Sequence, residues 1–189
     1  MIDASSLFLH VLAAIGLVGG GTMQVLSGVH VRRARTGRDM AMWARFTRSA
    51  GLLIVGSAVV SLMTGGHLAG AVWGGAAGGF ANPFITLGLV GLVLLAPVGP
   101  MVGGAHLRRL VDAAEAVGDA AAPAPLRSEA RAPALWGPVH SLVGVGVGLV
   151  AVMVYKPSWL VGGLVLALTF AAGWVSGAVV AARPADEVT

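Results

Sequence analysis

The stretch SLFLHVLAAIGLVGGGTMQVLSGVHV, residues 6–31, decides the fold class because it carries no charged side chain. A helix needs about 20 apolar residues to span about 30 Å of hydrocarbon, and this stretch exceeds that length. Asp3 precedes it, and arginines follow it from Arg32 onward. A cleaved secretory signal starts with basic residues and has a shorter apolar region. The stretch therefore predicts a permanent transmembrane helix.

Four further apolar segments follow the first. We predict spans at residues 50–68, 84–106, 138–154 and 160–182, with a polar cytoplasmic loop at 107–137 and a tight turn, YKPSW, before the last span. Pro97 and Pro100 are expected to kink the third span because proline lacks an amide donor. The sequence thus predicts an all-α polytopic transmembrane helical bundle of about five spans, forming one domain over residues 1–189.

The composition supports this class and excludes several functions. The chain is 57% hydrophobic and 11% charged, and a soluble domain carries about twice that charged fraction. Cysteine is absent, which excludes disulfides, thiolate metal sites and iron–sulfur clusters. The basic residues flank the apolar segments and do not alternate with exposed aromatics, so nucleic acid is not an expected partner. The expected partner is the lipid bilayer.

The basic residues also predict the orientation. Lys and Arg concentrate in cytoplasmic loops. An outer amino terminus places eleven of the twelve basic residues inside and leaves only Lys156 outside. We therefore expect the amino terminus outside and the carboxyl terminus in the cytoplasm. The use of Arg over Lys, with much Ala, Gly and Val, favours a bacterial chain, and hence the bacterial cytoplasmic membrane.

Small and polar residues mark the helix faces that should turn inward. On the first span, the face of His10 continues through Ala13, Ala14, Leu17, Gly20, Gly21, Gln24 and Ser27 or Gly28. On the second span, Ser57, Ser61 and Thr64 share one face. Glycines three or four residues apart, such as Gly173 and Gly177, let helix backbones approach closely. We expect these glycines to serve packing.

Histidine is the one residue type expected to carry chemistry, since no Asp, Glu, Lys or Arg lies deep within a predicted span. His10 and His67 lie near the outer ends of the first two spans and form a candidate pair for b-type haem or a copper ion. Weaker inner candidates are His30, His106 and His140, for which a hydrogen bond to a carbonyl or a place among headgroups is the simpler role. About 30 Å of helix separates His10 from His30, so any site is either outer or inner.

At the motif level, HVLAAIGLVGG (residues 10–20) resembles the first-helix motif of the copper-resistance D-like membrane proteins and of the related domain of unknown function 2269 family, roughly H-x-L-x-A-x-x-W-x-G-G. Gly16 and Leu17 stand where the family has Ile or Leu followed by Trp, so the aromatic residue is missing. VRRARTGRDMAMWARFTR, SLMTGGHLAG and AVMVYKP are similar to later family segments. The resemblance implies a small helical bundle of the bacterial inner membrane, with copper handling in one branch. Of the histidines, only His10 matches a position of the family motif.

Three functions remain open at this point. The first is haem or copper binding near the outer face. The second is a non-catalytic membrane subunit or assembly factor, with membrane-protein partners or further copies of the chain packed on its glycine faces. The third is a small permease, with the kinked third span lining a path. An enzyme is the least supported class, because Ser57, Ser61 and Thr64 have no paired general base in a recognisable arrangement.

Overall fold

The structure, a computed structural model, describes residues 2–97 and 104–183, and every regular element in these ranges is helical. The prediction of an all-α protein is confirmed for these residues. Two single-turn 3₁₀ helices, Gly75–Ala77 and Gly79–Ala81, connect the second and third α-helices. The α-helices are α1 (Ile2–Arg33), α2 (Gly37–Ala71), α3 (Pro83–Pro97), α4 (Ala105–Val117), α5 (Ala124–Glu129), α6 (Pro133–Tyr155) and α7 (Trp159–Ala182).

Four segments among the described residues are long and apolar enough to cross a membrane: α1, α2, α7 and the segment Ala124–Tyr155, which holds α5 and α6. α3 is a shorter apolar helix. α1 packs along α2, and α6 packs along α7, while α3 and α1 both contact α6. One end of the bundle holds Ile2, Ala71 and Lys156 and is called the His10 end below. The other holds Arg33, Gly37 and Pro133 and is called the arginine end.

Burial differs strongly between the helices. In the most apolar part of α6, 61% of the residues are buried, against 6% in α1 and 11% in α7. α6 is therefore the central helix. Large apolar side chains such as Ile15 on α1 and Leu168 on α7 lie on the exposed surface. Such surface suits contact with lipid, since hydrocarbon is the medium in which it costs nothing to expose apolar groups.

The largest buried cluster lies at the arginine end and includes polar-loop residues. α4 is amphipathic and buries Leu107, Leu110, Val111 and Ala114, which recur at helical spacing on one face. These side chains pack with residues of α1, α2 and α6. Burial of this face explains why the segment folds as a helix and not as a loop.

Several predicted boundaries differ from the observed ones. The region predicted as a cytoplasmic loop, 107–137, contains most of α4, all of α5 and the start of α6. α2 begins at Gly37, well before the predicted span, because Thr36 caps its first turn by accepting from Asp39 N (3.2 Å). The expected turn before the last helix is confirmed at residues 156–158, where Lys156 has a positive φ of 47°.

Two predictions on the third span extend past what the structure covers. α3 ends at Pro97, and the expected kink at Pro97 and Pro100 falls on or beside residues 98–103, outside the described residues. The span predicted at residues 84–106 thus corresponds to α3 and the first residues of α4, with the part between them outside the described ranges.

Candidate functional site

The small-residue face of α1 brings His10 onto α2. Ala13, Gly20, Gly21, Gln24, Ser27 and Gly28 are buried, as the sequence pattern predicts. On α2, Ser57, Ser61 and Thr64 are also buried. At Gly65 an added Cβ would lie 3.0 Å from His10 Cε1, so the imidazole rests directly on the glycine. The two predicted inner faces therefore meet, and His10 lies at their contact.

The hydrogen bonds of His10 determine which ring nitrogen carries the proton. Nδ1 lies 3.2 Å from Ser61 O and 3.2 Å from Thr64 Oγ1. A carbonyl oxygen can only accept, and the Thr64 hydroxyl already donates to Val60 O (2.7 Å). Both partners of Nδ1 therefore accept, and Nδ1 carries the hydrogen. In the neutral ring, Nε2 then has a free lone pair, which is the state that binds a metal.

His10 lines a cavity of about 600 Å³ at the His10 end of the bundle. The cavity lies between α1, α2, α3 and the end of α6, and most of its wall is apolar. The side chains that matter for a ligand are His10, Trp73, Phe84, Met153, Lys156 and Asp3. Ligand pockets in proteins are typically apolar clefts of roughly 300–1,000 Å³ with a few polar groups. The cavity has that size and that character.

The cation of Lys156 is held at the cavity by two aromatic rings. Its Nζ lies 4.5 Å from the ring centroid of Trp73 and 5.6 Å from that of Phe84. The rings of Trp73 and Phe84 meet edge to face at 5.1 Å. An ammonium group over aromatic faces is attracted by their quadrupoles. Lys156 thus offers a positive charge to an anionic group of a ligand in the cavity.

His67 takes a different position from His10. Its Nε2 lies 3.0 Å from Asp3 Oδ1, its side chain is 40% exposed, and it does not line the cavity. Asp3 does line the cavity, so His67 lies behind a residue of the cavity wall. Joint ligation of one ion by His10 and His67 stays a prediction. Among residues 2–97 and 104–183, no three or more His, Cys, Asp or Glu side chains form a group that could hold a metal ion.

The inner histidine candidates lie in separate places. The ring of His30 stacks on Trp43 with centroids 4.1 Å apart. His106 Nε2 lies 3.6 Å from Glu129 Oε1. These contacts attach each imidazole to a different partner at the arginine end.

His140 is buried on α6, and its Nδ1 lies 3.2 Å from Ser176 Oγ on α7. It therefore joins α6 to α7, away from the His10 cavity.

Met153 and Lys156 were not among the candidates from the sequence. Both lie near the end of α6, where the chain turns toward α7, and neither belongs to a motif that indicates ligand binding. Two signals were available: both residues lie in AVMVYKP, which resembles a family segment, and Lys156 is the single basic residue predicted on the outer side. Its proximity to Trp73 depends on where the connection after α2 meets α3 and the end of α6, which the sequence pattern does not determine.

Comparisons of the chain with protein-family models, with curated proteins and with solved structures find no match. Membership of the copper-resistance D-like proteins or of the domain of unknown function 2269 family stays a prediction from the motifs.

Proposed function

We propose that the chain is an integral protein of the bacterial cytoplasmic membrane that crosses the bilayer five times, with the amino terminus outside. Four long apolar segments and the shorter apolar α3 support five crossings. The distribution of basic residues supports the orientation. The eleven arginines belong to the arginine end of the bundle, and Lys156 is the single basic Lys or Arg at the His10 end.

We further propose that the His10 cavity binds b-type haem, with His10 Nε2 as an iron ligand. The observation that carries this proposal is the fixed tautomer of His10 at the wall of an apolar cavity of about 600 Å³. Histidines that bind metals nearly always donate their other N–H to a carbonyl or carboxylate. His10 Nδ1 donates in this way to Ser61 O and Thr64 Oγ1.

The remaining residues of the cavity suit haem better than a bare copper ion. Bound haem would supply redox chemistry at its iron. The apolar wall would receive the porphyrin, Met153 would offer a thioether to the iron, and Lys156 would pair with a propionate. Copper needs several donor atoms close together, and among the described residues His10 and Met153 are the only neutral donors of the usual kind on this wall.

The test is the absorption spectrum of protein purified in mild detergent from a native membrane, with metal analysis on the same sample. We expect a Soret band and one iron per chain. His10→Ala should lose the band, and His67→Ala, the matched outer control, should retain it. A folded, monodisperse wild-type protein that takes up no haem would refute haem binding. Copper in place of iron, lost with His10→Ala, would redirect the site to copper.

A non-catalytic membrane subunit is the second candidate, and the observation in its favour is the surface of α1. Only 6% of its most apolar part is buried, although one face packs on α2. A partner helix could cover the rest. Extraction in mild detergent followed by size analysis should then recover a stoichiometric complex, whereas a lone monomer from native membranes would contradict this function.

A further inference from the structure

A second group of polar side chains lies between α1 and α6 at the arginine end. Trp136 is fully buried, and its Nε1 donates to Ala130 O (2.7 Å), which fixes the indole. Arg32 Cζ lies 4.6 Å from the centre of that ring. Gly28, one helical turn before Arg32, lies against the same ring. Since side chains on a helix lean toward its amino terminus, Arg32 lies across Trp136 toward the bundle interior.

Two polar atoms in this region are buried without a hydrogen-bond partner. They are Nη1 of Arg32 and Nε2 of His140. His140 follows Trp136 by one turn of α6, so it lies on the same face as the ring that Arg32 covers, and it is 7% exposed. His140 Nδ1 lies 3.2 Å from Ser176 Oγ, and in the tautomer in which the hydroxyl donates to Nδ1, the N–H is at Nε2. Because buried donors without partners are rare and costly, two donors in one region indicate a ligand that accepts from both.

The charge of this region is also uncompensated. Arg131 Nη2 donates to Arg32 O (3.4 Å), so a second guanidinium lies beside the first. Glu129, two residues before Arg131, lies 3.6 Å from His106 Nε2. In the described part of the chain, no carboxylate forms an ion pair with Arg32 or Arg131. Positive charges held together without a carboxylate attract an anion.

We propose that this region, the Arg32 site, binds an oxyanion of the phosphate type. Nη1 of Arg32 and the Nε2–H of His140 would donate to its oxygens, and Arg131 would contribute charge at the rim. Guanidinium is well matched to phosphate geometry. Either the headgroup phosphate of an anionic phospholipid or free phosphate could supply this chemistry. The Arg32 site is independent of the haem proposal and lies at the opposite end of the bundle.

The experiment has two arms on the full chain in a neutral detergent. Native mass spectrometry measures how much phosphatidylglycerol the protein retains, and isothermal titration measures the binding of inorganic phosphate. We expect the wild type to bind at least one of these probes at one site per chain. Arg32→Gln should weaken that binding by about tenfold or more, because hydrogen bonds to charged groups are the strong ones.

The controls separate a site from general attraction. His140→Leu should also weaken binding, and Arg131→Gln, which changes a half-exposed side chain, provides a variant expected to fold even where Arg32→Gln does not. Arg48→Gln removes an exposed charge on α2 at the same end and should bind like the wild type. Retention of phosphatidylglycerol alone identifies a headgroup, and binding of inorganic phosphate identifies a soluble ligand. Binding of neither probe, or equal loss with Arg48→Gln, would overturn the proposal.

Discussion

The contact between α6 and α7 depends on glycine, and one substitution tests this directly. At Gly177 an added Cβ would lie 2.6 Å from the carbonyl carbon of Trp136 and 2.8 Å from Gly137 N. At Gly173 it would lie 2.7 Å from Ser141 Cα. These are backbone atoms of a helix, which cannot rotate away as a side chain can. Gly177→Ala must therefore move α7 away from α6.

The expected magnitude follows from two opposing effects. Extra methyl groups in a packed interface cost about 1–3 kcal/mol. Alanine also favours a helix over glycine by about 1 kcal/mol. Gly163→Ala, on the same helix, adds a methyl group to open space and so experiences only the helix preference. The free energy of unfolding of Gly177→Ala should therefore be lower than that of Gly163→Ala by about 1–3 kcal/mol.

The assay is reversible unfolding in mixed micelles with increasing sodium dodecyl sulfate, followed by far-ultraviolet circular dichroism. On α6, Gly144→Ala and Gly146→Ala form a second matched pair, because Gly144 lies against the backbone of Thr169 and Gly146 faces open space. Equal stabilities of Gly177→Ala and Gly163→Ala would refute the reasoning and show that the helices separate without cost. Equal stabilities of Gly144→Ala and Gly146→Ala would extend that conclusion to the whole contact between α6 and α7.

Two further predictions concern the arginine end and the orientation. Thr36→Ala should lower the free energy of unfolding by about 1 kcal/mol, because it removes the side chain that caps α2 by accepting from Asp39 N. The same micelle titration measures this change. An unchanged free energy would show that the first turn of α2 is stable without the cap. The chain contains no cysteine, so single cysteines can be labelled without background. Ser158→Cys should react with a membrane-impermeant maleimide in intact cells and Ala120→Cys only after lysis, while the reverse pattern would invert the proposed topology.

The helices of the bundle could be predicted from the sequence because long uncharged runs have few structural alternatives. Residues 6–31 and 160–182 lie within α1 and α7. The inner faces were predictable for the same reason, since Ser57, Ser61 and Thr64 recur at helical spacing and are buried. Local chemistry and helical periodicity are therefore sufficient to predict these helices and their buried faces.

The polar region 107–137 is predicted as a cytoplasmic connection between spans, and its sequence contains a helical signal. Leu107, Leu110, Val111 and Ala114 recur at helical spacing, yet Asp and Glu on the other face lower the mean hydropathy of α4. A search for membrane spans therefore passes over such a helix. It forms because the arginine end of α1, α2 and α6 supplies a surface that covers its apolar face, and that surface exists only after the long helices have packed.

The candidate site was only partly predictable for a related reason. The position of His10 on the small-residue face follows from the sequence of α1 alone. This part of the prediction agrees with the burial of that face. The hydrogen bonds to Ser61 and Thr64, and the approach of Lys156 to Trp73, depend on how α1, α2, α3 and α6 pack. Sequence spacing places residues along one helix, and it does not measure distances between helices.

The two proposed sites share α1, and this arrangement limits how they can influence each other. His10 and Arg32 are separated by about 33 Å along the helix, at about 1.5 Å per residue. No charged residue lies between them on α1, so no chain of ion pairs along this helix connects the two sites. Any effect of His10 substitution on phosphate binding would therefore require movement of α1 as a body along α2 and α6. The close contacts of Gly20 with Ile54 and of Gly28 with Trp136 oppose such movement, and independent sites are the expected behaviour.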